Sequence, residues 1–435
     1  MDKPSLRRIL ADDQELFLSH KAVIQRDVAI VPHLRSSDVT VVTGVRRCGK
    51  STLLRQIMEM APEYRWLYLD LESPRLTAFT VDDFELCDQI WCELSDSKEA
   101  RPVALAIDEV QNVAGCERWV RYFAEKRRYK VFVTGSNSEM LSSELGTALG
   151  GRYVTIELFP FSFKEIVAHR LGSQGVYNSN KSPPTAEVLR EVSSIINQGL
   201  EYGLFPKPFL EGSRIIYPHL FQDIVAGDIV KRRKIRRPIP LIELGSLLAR
   251  DNTRLFNATT TTALINLEDP RTLAKYLGYF QDAYLFFRVR RYSRSRRKQL
   301  RGLSKFYCID SVLADEVSAQ RQRWTNALES IVHIELQRRN EHFGFWLSSN
   351  GYEVDFIVEN EQGELTAIQT CFDLNSSETI SREVRALLAA QREEKVARLV
   401  IVTRDEVSPS IRSIIPESIV VQPLAEFLDL YGMGV

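Results

Sequence analysis

Asp38–Met60 reads DVTVVTGVRRCGKSTLLRQIMEM. Val39, Val41 and Val42 belong to a short β-branched run, which predicts a buried strand. Gly44-Val-Arg-Arg-Cys-Gly49-Lys50-Ser51 follows, an intact G-x-x-x-x-G-K-[ST]. Leu53, Leu54, Ile57, Met58 and Ala61 then recur at helical spacing. Strand, glycine loop and helix is the context that a phosphate-binding loop requires. Gly44 and Gly49 let the backbone turn tightly, so that its N–H groups converge on phosphate oxygens. The helix points its positive end at the same anion. Gly44, Val45, Arg46, Arg47, Cys48, Gly49, Lys50, Ser51 and Thr52 are therefore the residues expected around the phosphates. Lys50 is expected to reach the β- and γ-phosphates, and Ser51 to hold a magnesium ion.

Working outward, Arg65-Trp-Leu-Tyr-Leu-Asp-Leu predicts a second strand and residues 81–95 a helix. Pro102-Val-Ala-Leu-Ala-Ile-Asp108-Glu109 is an apolar strand ending in two acids. A carboxylate at that edge suits the magnesium shell, which assigns Asp108. Glu109, the next acid, is placed to polarise a water. Lys130-Val-Phe-Val-Thr-Gly135-Ser136-Asn137 is a further strand. Where such a strand lies between the two motifs, a polar side chain at its end senses the γ-phosphate. Ser136 or Asn137 fits that role, and a plain strand-ending turn is the alternative.

The chain has 435 residues, 44% hydrophobic and 26% charged, with 57 basic residues balancing 57 acidic ones. These are ordinary values for a globular chain, and the net charge points to no partner. Six cysteines without paired C-x-x-C spacing argue against structural zinc or a disulfide framework, and suggest reduced thiols in a cytoplasmic protein. The first residues lack a signal-peptide core, and no apolar run approaches the ~18 residues of a membrane span. Residues 1–37 read as a helical lead-in, with Lys21, Arg26 and His33 on an ordinary solvated face.

Five stretches taken together, GVRRCGKSTLL, AIDEVQ, TGSNSEML, GTALGGRYVTIELFPFSFKEIV and DFIV, resemble the large prokaryotic family of AAA-type P-loop ATPases that carry a C-terminal domain of unknown function. The resemblance covers nearly the whole chain. It implies ATP binding and hydrolysis with ATP and Mg2+ as ligands. It also implies an α/β fold: a P-loop NTPase core with a parallel sheet, then a helical lid, a winged-helix module and a small α/β restriction-endonuclease-like domain. The matching boundaries are 1–160, 161–217, 218–310 and 311–435. Arg152 is a candidate arginine finger in cis or in trans, or it simply starts the fifth strand, Tyr153-Val-Thr-Ile-Glu-Leu. Arg46 and Arg47 are further candidates.

Residues 172–186 are rich in Gly, Ser, Asn and Pro and read as a loop, and 187–217 read as helical with a break at Gly203–Pro208. Three helices and a hairpin over 218–310 follow the winged-helix pattern, with Asp269 capping a helix that starts at Pro270. The hairpin arm RVRRYSRSRRKQLRG, Arg288–Gly302, has no acid. That suits a DNA or RNA backbone, while a solvated loop or a contact with protein stays open. Beyond it, a helix with Glu329, a hairpin with Glu353 and Asp355 on one face, and a strand with Gln369 and Cys371 resemble the restriction-endonuclease-like fold. That pattern wants an acid at Gln369 and a lysine at Cys371. The expectation is a three-carboxylate pocket beside an uncharged strand, without cleavage. Three functional readings result: first, an ATP-driven switch that acts through nucleic acid, a protein partner or self-association; second, an ATP-regulated nuclease; and third, a nucleotide-binding interaction module with little turnover.

Overall fold

The β-branched run of the opening stretch forms β1 (Val39–Thr43), with all five residues buried. A strand with no polar alternation is covered on both faces, the habit of parallel sheets flanked by helices. The structure, a computed structural model, describes residues 1–21, 23–95, 101–126, 128–136, 145–172, 184–267, 269–295, 299, 302–318 and 324–431. It divides into one unit of residues 1–160 with 282–284, and a second of residues 161–281 with 285–435.

In the first unit, β1 joins β2 (Arg65–Asp70), β3 (Val103–Asp108), β4 (Tyr129–Gly135) and β5 (Tyr153–Glu157). All pairings are parallel and the order is β2-β3-β4-β1-β5. β4 therefore lies between β1 and β3, and the carboxyl ends of the three strands bring the glycine loop, the two acids and Ser136 to one edge. In open parallel sheets this is the edge where ligands bind. Helix Asp83–Ser95 offers Phe84, Cys87, Ile90 and Trp91 to the same core as Leu105 and Val131. Helix Lys3–Ser19 starts where Asp2 accepts the Ser5 N–H at 2.9 Å and Pro4 occupies the first turn. It buries Leu6 and Leu10 in that core.

The second unit opens with helix Phe163–Leu171, held by a capping box in which Ser162 and Glu165 satisfy each other's backbone N–H groups. Helices Ala186–Tyr202, Pro206–Glu211 and Tyr217–Asp223 follow, the last running into a π-helical stretch, Ile224–Lys231. Helix Ile239–Arg250, strand β6 (Leu255–Phe256), helices Ala258–Leu264 and Pro270–Asp282, and strands β7 (Phe286–Arg290) and β8 (Ser304–Cys308) follow in the chain, and the three strands form an antiparallel sheet ordered β6-β8-β7. Asp269 accepts the Arg271 N–H at 2.8 Å, as its capping position predicts. β6 escapes sequence reading because two residues carry no period.

Helix Trp324–Arg338 leads to a mixed sheet of β9 (His342–Leu347), β10 (Glu353–Glu359), β11 (Leu365–Cys371), β12 (Arg398–Thr403) and β13 (Ile419–Pro423). Its order is β13-β12-β11-β10-β9. β9, β10 and β11 pair antiparallel, and β11, β12 and β13 pair parallel. Helix Ser377–Glu394 makes the crossover that the parallel β11–β12 pair needs. No helix among the described residues is long and apolar enough to cross a membrane.

Candidate functional site

The loop after β1 is built around backbone conformations that side chains resist. Gly44 has φ +149°, and a Cβ there would lie 2.1 Å from the Leu158 carbonyl oxygen. Gly49 has φ +102° and sits immediately before helix Lys50–Met60. Arg47 also takes a positive φ, 64°. Val45 and Cys48 are buried, and Ser51 and Thr52 are half-buried in the first helical turn. The Lys50 Nζ bonds back to the carbonyls of Gly44 and Val45 at 3.3 and 3.4 Å. It pairs with the Glu109 carboxylate at 3.3 Å. Burial opposes its charge, but Glu109 and Asp108 outweigh that cost and hold the ammonium above its ordinary pKa.

Asp108 and Glu109 leave the end of β3 in different environments. Asp108 accepts hydrogen bonds from Ser51, from the Thr134 hydroxyl and, at 3.2 Å, from the Tyr68 hydroxyl. Burial and the neighbouring Glu109 charge push its carboxyl up. Glu109 takes a left-handed conformation, φ 52°. Its N–H donates to the Thr134 hydroxyl at 2.9 Å. Burial raises its proton affinity, but Lys50, Gln111 and Arg46 together hold it below the usual carboxylate range. Gln111 donates to Glu109 Oε2 and, at 3.2 Å, to Ser136 Oγ, so one amide bridges the ends of β3 and β4. Thr134, Tyr68 and Gln111 were not anticipated. Gln111 lies in the AIDEVQ stretch, and a polar residue two after the acid pair was the available signal.

Arg26 corrects a sequence expectation. It is buried, not solvated, and lies in the extended segment between helices Lys3–Ser19 and Ile30–Arg35. Its guanidinium donates to the Cys48 carbonyl at 2.7 Å and to the Phe159 carbonyl at 2.6 Å, which pins the loop from behind. Arg46 pairs with Glu72. Arg152 is exposed just before β5, its carbonyl accepting the Val39 N–H at 3.2 Å; among the described residues its side chain makes no ion pair with the loop or the acids. Asn137 lies outside the described residues.

Residues 36–167 match the family model of an AAA domain. Residues 194–323 match that of a domain of unknown function, DUF8612. An uncharacterized protein of Methanocaldococcus jannaschii is 29% identical over 413 residues, 91% of this chain and 88% of the relative. One of Haemophilus influenzae is 28% identical over 82% of this chain and 90% of its own. Among solved structures, the Aeropyrum pernix ORC1 protein in complex with DNA is 13% identical with a TM-score of 0.30, covering 70% of this chain and 92% of that one. The Saccharomyces cerevisiae Hsp104-ADP complex is 15% identical with a TM-score of 0.34, covering 75% of this chain and 46% of that one.

In the second unit the structure brings Glu329, Glu353 and Asp355 together beside the uncharged strand β11, and it adds from β8 a cation that the sequence reading did not place there. Lys305, from β8, stands among them with its Nζ 3.0 Å from Glu329, 2.6 Å from Glu353 and 3.8 Å from Asp355. Tyr307 donates to Glu329 at 2.7 Å. Burial, then repulsion from Asp355, pushes the Glu329 carboxyl up to about 7 despite the lysine. Asp355 accepts from the Thr370 N–H and hydroxyl at 2.8 and 2.7 Å, and its own N–H donates to Gln369 at 3.2 Å. Cys371 is buried, with its thiol pushed up to about 12 by burial, so it supplies no charge. Among the described residues no group of His, Cys, Asp and Glu side chains is arranged to hold a metal ion.

The basic arm is less uniform than its sequence. Arg294 pairs with Glu394 at 3.4 Å, and Arg291 donates to the Leu347 carbonyl. Both are therefore already engaged by protein. Arg296, Arg297 and Arg301 lie outside the described residues.

Proposed function

We propose that this chain is an AAA-type ATPase that binds ATP with Mg2+, hydrolyses it, and works as a nucleotide-driven switch. The observation that carries the reading is the meeting of two strand ends: Lys50 pairs with Glu109 at 3.3 Å while Ser51 bonds Asp108. The residues fit the ligand. The backbone of 44–49 forms a cradle that a Cβ at Gly44 would fill, and Lys50 lies at a helix N-terminus with only long bonds to carbonyls. Lys50 would exchange Glu109 for the β- and γ-phosphates. Ser51 and Asp108 would hold Mg2+, which when bound neutralises charge on the phosphate oxygens. Glu109, kept ionised by its neighbours, would polarise the attacking water, and Ser136 would register the γ-phosphate. Arg152, exposed, would act as a finger toward a second copy. Residues 161–217, 218–310 and 311–435 would serve as lid, winged-helix-like module and nuclease-like module.

Phosphate release by the purified chain tests this. Glu109→Gln is expected to bind ATP and turn it over about 10²–10⁴-fold more slowly, because only the water-polarising carboxylate is lost. Lys50→Ala is expected to lose binding. Equal binding losses in both variants would overturn the assignment.

A nucleotide-regulated nuclease is the second reading, and Lys305 is the observation in its favour, since it supplies a fixed cation that Cys371 does not. Magnesium- or manganese-dependent nicking that disappears in Asp355→Ala would move this reading ahead. No nicking by the wild-type chain would retire it.

A further inference from the structure

A second basic feature lies where β7 meets β9, and it is built from the sheet itself. Arg288 and Arg290 are two apart on β7 and so share one of its faces. Beyond β7 the chain continues against β9. Arg291 bridges Phe345 in parallel, and the Tyr292 N–H donates to the Phe345 carbonyl at 2.6 Å. This approach depends on Gly344: a Cβ there would sit 2.6 Å from the Arg290 carbonyl oxygen and 3.1 Å from the Tyr292 nitrogen. The junction encloses a cavity of about 320 Å³ lined by Gln281, Arg288, Arg290, Arg291, Gln299 and His342. That is at the small end of ligand-pocket size.

The charge in this cavity is of one sign. Among the described residues no carboxylate lines it. Among the described residues neither Arg288 nor Arg290 forms an ion pair, and the Glu359 carboxylate lies 3.5 Å from the His342 ring. Arg288 is fixed by its Nε, which donates to Ser304 Oγ at 2.8 Å. Its two terminal nitrogens have no protein partner among the described residues. Partial burial, then the adjacent Arg290 charge, lowers the proton affinity of Arg288, which an anion would relieve. The wall also holds the rings of Tyr292 and Phe343.

We propose that this cavity is a phosphate site for a nucleic-acid backbone, with Arg288 and Arg290 as its two ligand-binding cations. Paired guanidinium forks match phosphate oxygens, and an aromatic wall gives an unstacked base a surface. In sequence the arm from Arg288 to Gly302 carries no acid, which favours a phosphate backbone. An acidic protein segment would meet the charge but leave the rings without a planar partner. The site is independent of the nucleotide loop, and either assignment can fail alone.

The test is fluorescence anisotropy of a short labelled single strand and of its duplex, titrated with the full chain at about 50 and 200 mM salt. The wild-type chain is expected to bind, with affinity falling steeply as salt rises. Arg288→Ala with Arg290→Ala is expected to weaken binding about tenfold or more and to reduce the salt slope by about 2, one for each lost phosphate contact. Lysine at both positions keeps the charge and is expected to restore most of the salt slope, which separates loss of phosphate contact from misfolding. Inorganic pyrophosphate and polyglutamate serve as competitors. Absence of binding, an unchanged slope in the double variant, or displacement of the strand by polyglutamate at equal charge concentration would overturn the proposal. Displacement by pyrophosphate at low concentration would overturn the backbone assignment in favour of a free phosphate compound.

Discussion

Lys50 and Lys305 are both nearly withdrawn from solvent, at 4% and 2% exposure, and both face carboxylates. Their surroundings differ in stoichiometry. Lys50 has one carboxylate at 3.3 Å and two carbonyls at 3.3 and 3.4 Å, and it stands at the start of a helix whose N–H groups add positive potential. Lys305 has three carboxylates within 4 Å. The first centre sets one close carboxylate against a lysine and a helix N-terminus, and suits an incoming phosphate. The second is already saturated by its own side chains. A buried lysine is therefore informative through the balance of charge around it, and not through burial alone.

The sharpest way to break this contrast is to remove Lys305. Lys305→Ala leaves three clustered carboxylates without their cation, and breaking such a buried pair costs about 3–5 kcal/mol. Urea melts should show that loss, and a change below about 1 kcal/mol would mean that the centre is not closed. The next effect is pH dependence. The Glu329 carboxyl is raised from its ordinary 4.5 to about 7 in the folded chain, so the native state binds this proton more tightly than the unfolded one. Its contribution is complete below about 4.5 and is lost as pH rises through about 7, a change on the order of 3 kcal/mol. Melts at pH 5 and pH 8 are expected to differ in that sense, and Glu329→Gln should flatten the difference.

Lys50→Ala tests the other side. Glu109 keeps its bond from Gln111, so stability is expected to fall by less than half the Lys305→Ala loss, while nucleotide affinity falls at least about tenfold. Equal stability losses at the two lysines would erase the distinction. The smallest effect expected is at Gln111. Gln111→Ala should leave nucleotide affinity in place and slow turnover by about 10- to 100-fold, because Glu109 loses an orienting partner. Unchanged turnover would reduce Gln111 to a structural bond.

Much of the first unit was legible because its signals are local. The five parallel strands appear as short apolar runs, and the loop and acid pair terminate two of them. In the second unit the helices over 239–282, helix Trp324–Arg338 and most strands were legible, but helices Phe163–Leu171 and Ser311–Ser318 and strands β6 and β13 were not, since a short helix and a short or edge strand leave little pattern. Arg26 was misread for a related reason. A cation among aliphatic residues looks solvated until its carbonyl partners, 22 and 133 residues away, are known.

By itself the sequence determined the glycine loop between β1 and helix Lys50–Met60, with its Lys50 and Ser51, and the Asp108-Glu109 pair at a strand end. Each is a run of consecutive residues whose local backbone sets the chemistry. Only the tertiary structure decided which side chains complete these sites. Gln111 meets Ser136 across 25 residues because β3 and β4 are neighbours. Lys305 meets Glu329 across 24 residues because β8 packs near helix Trp324–Arg338. Such meetings depend on pairing order and on burial that strengthens charge, and neither property is carried by spacing along the chain.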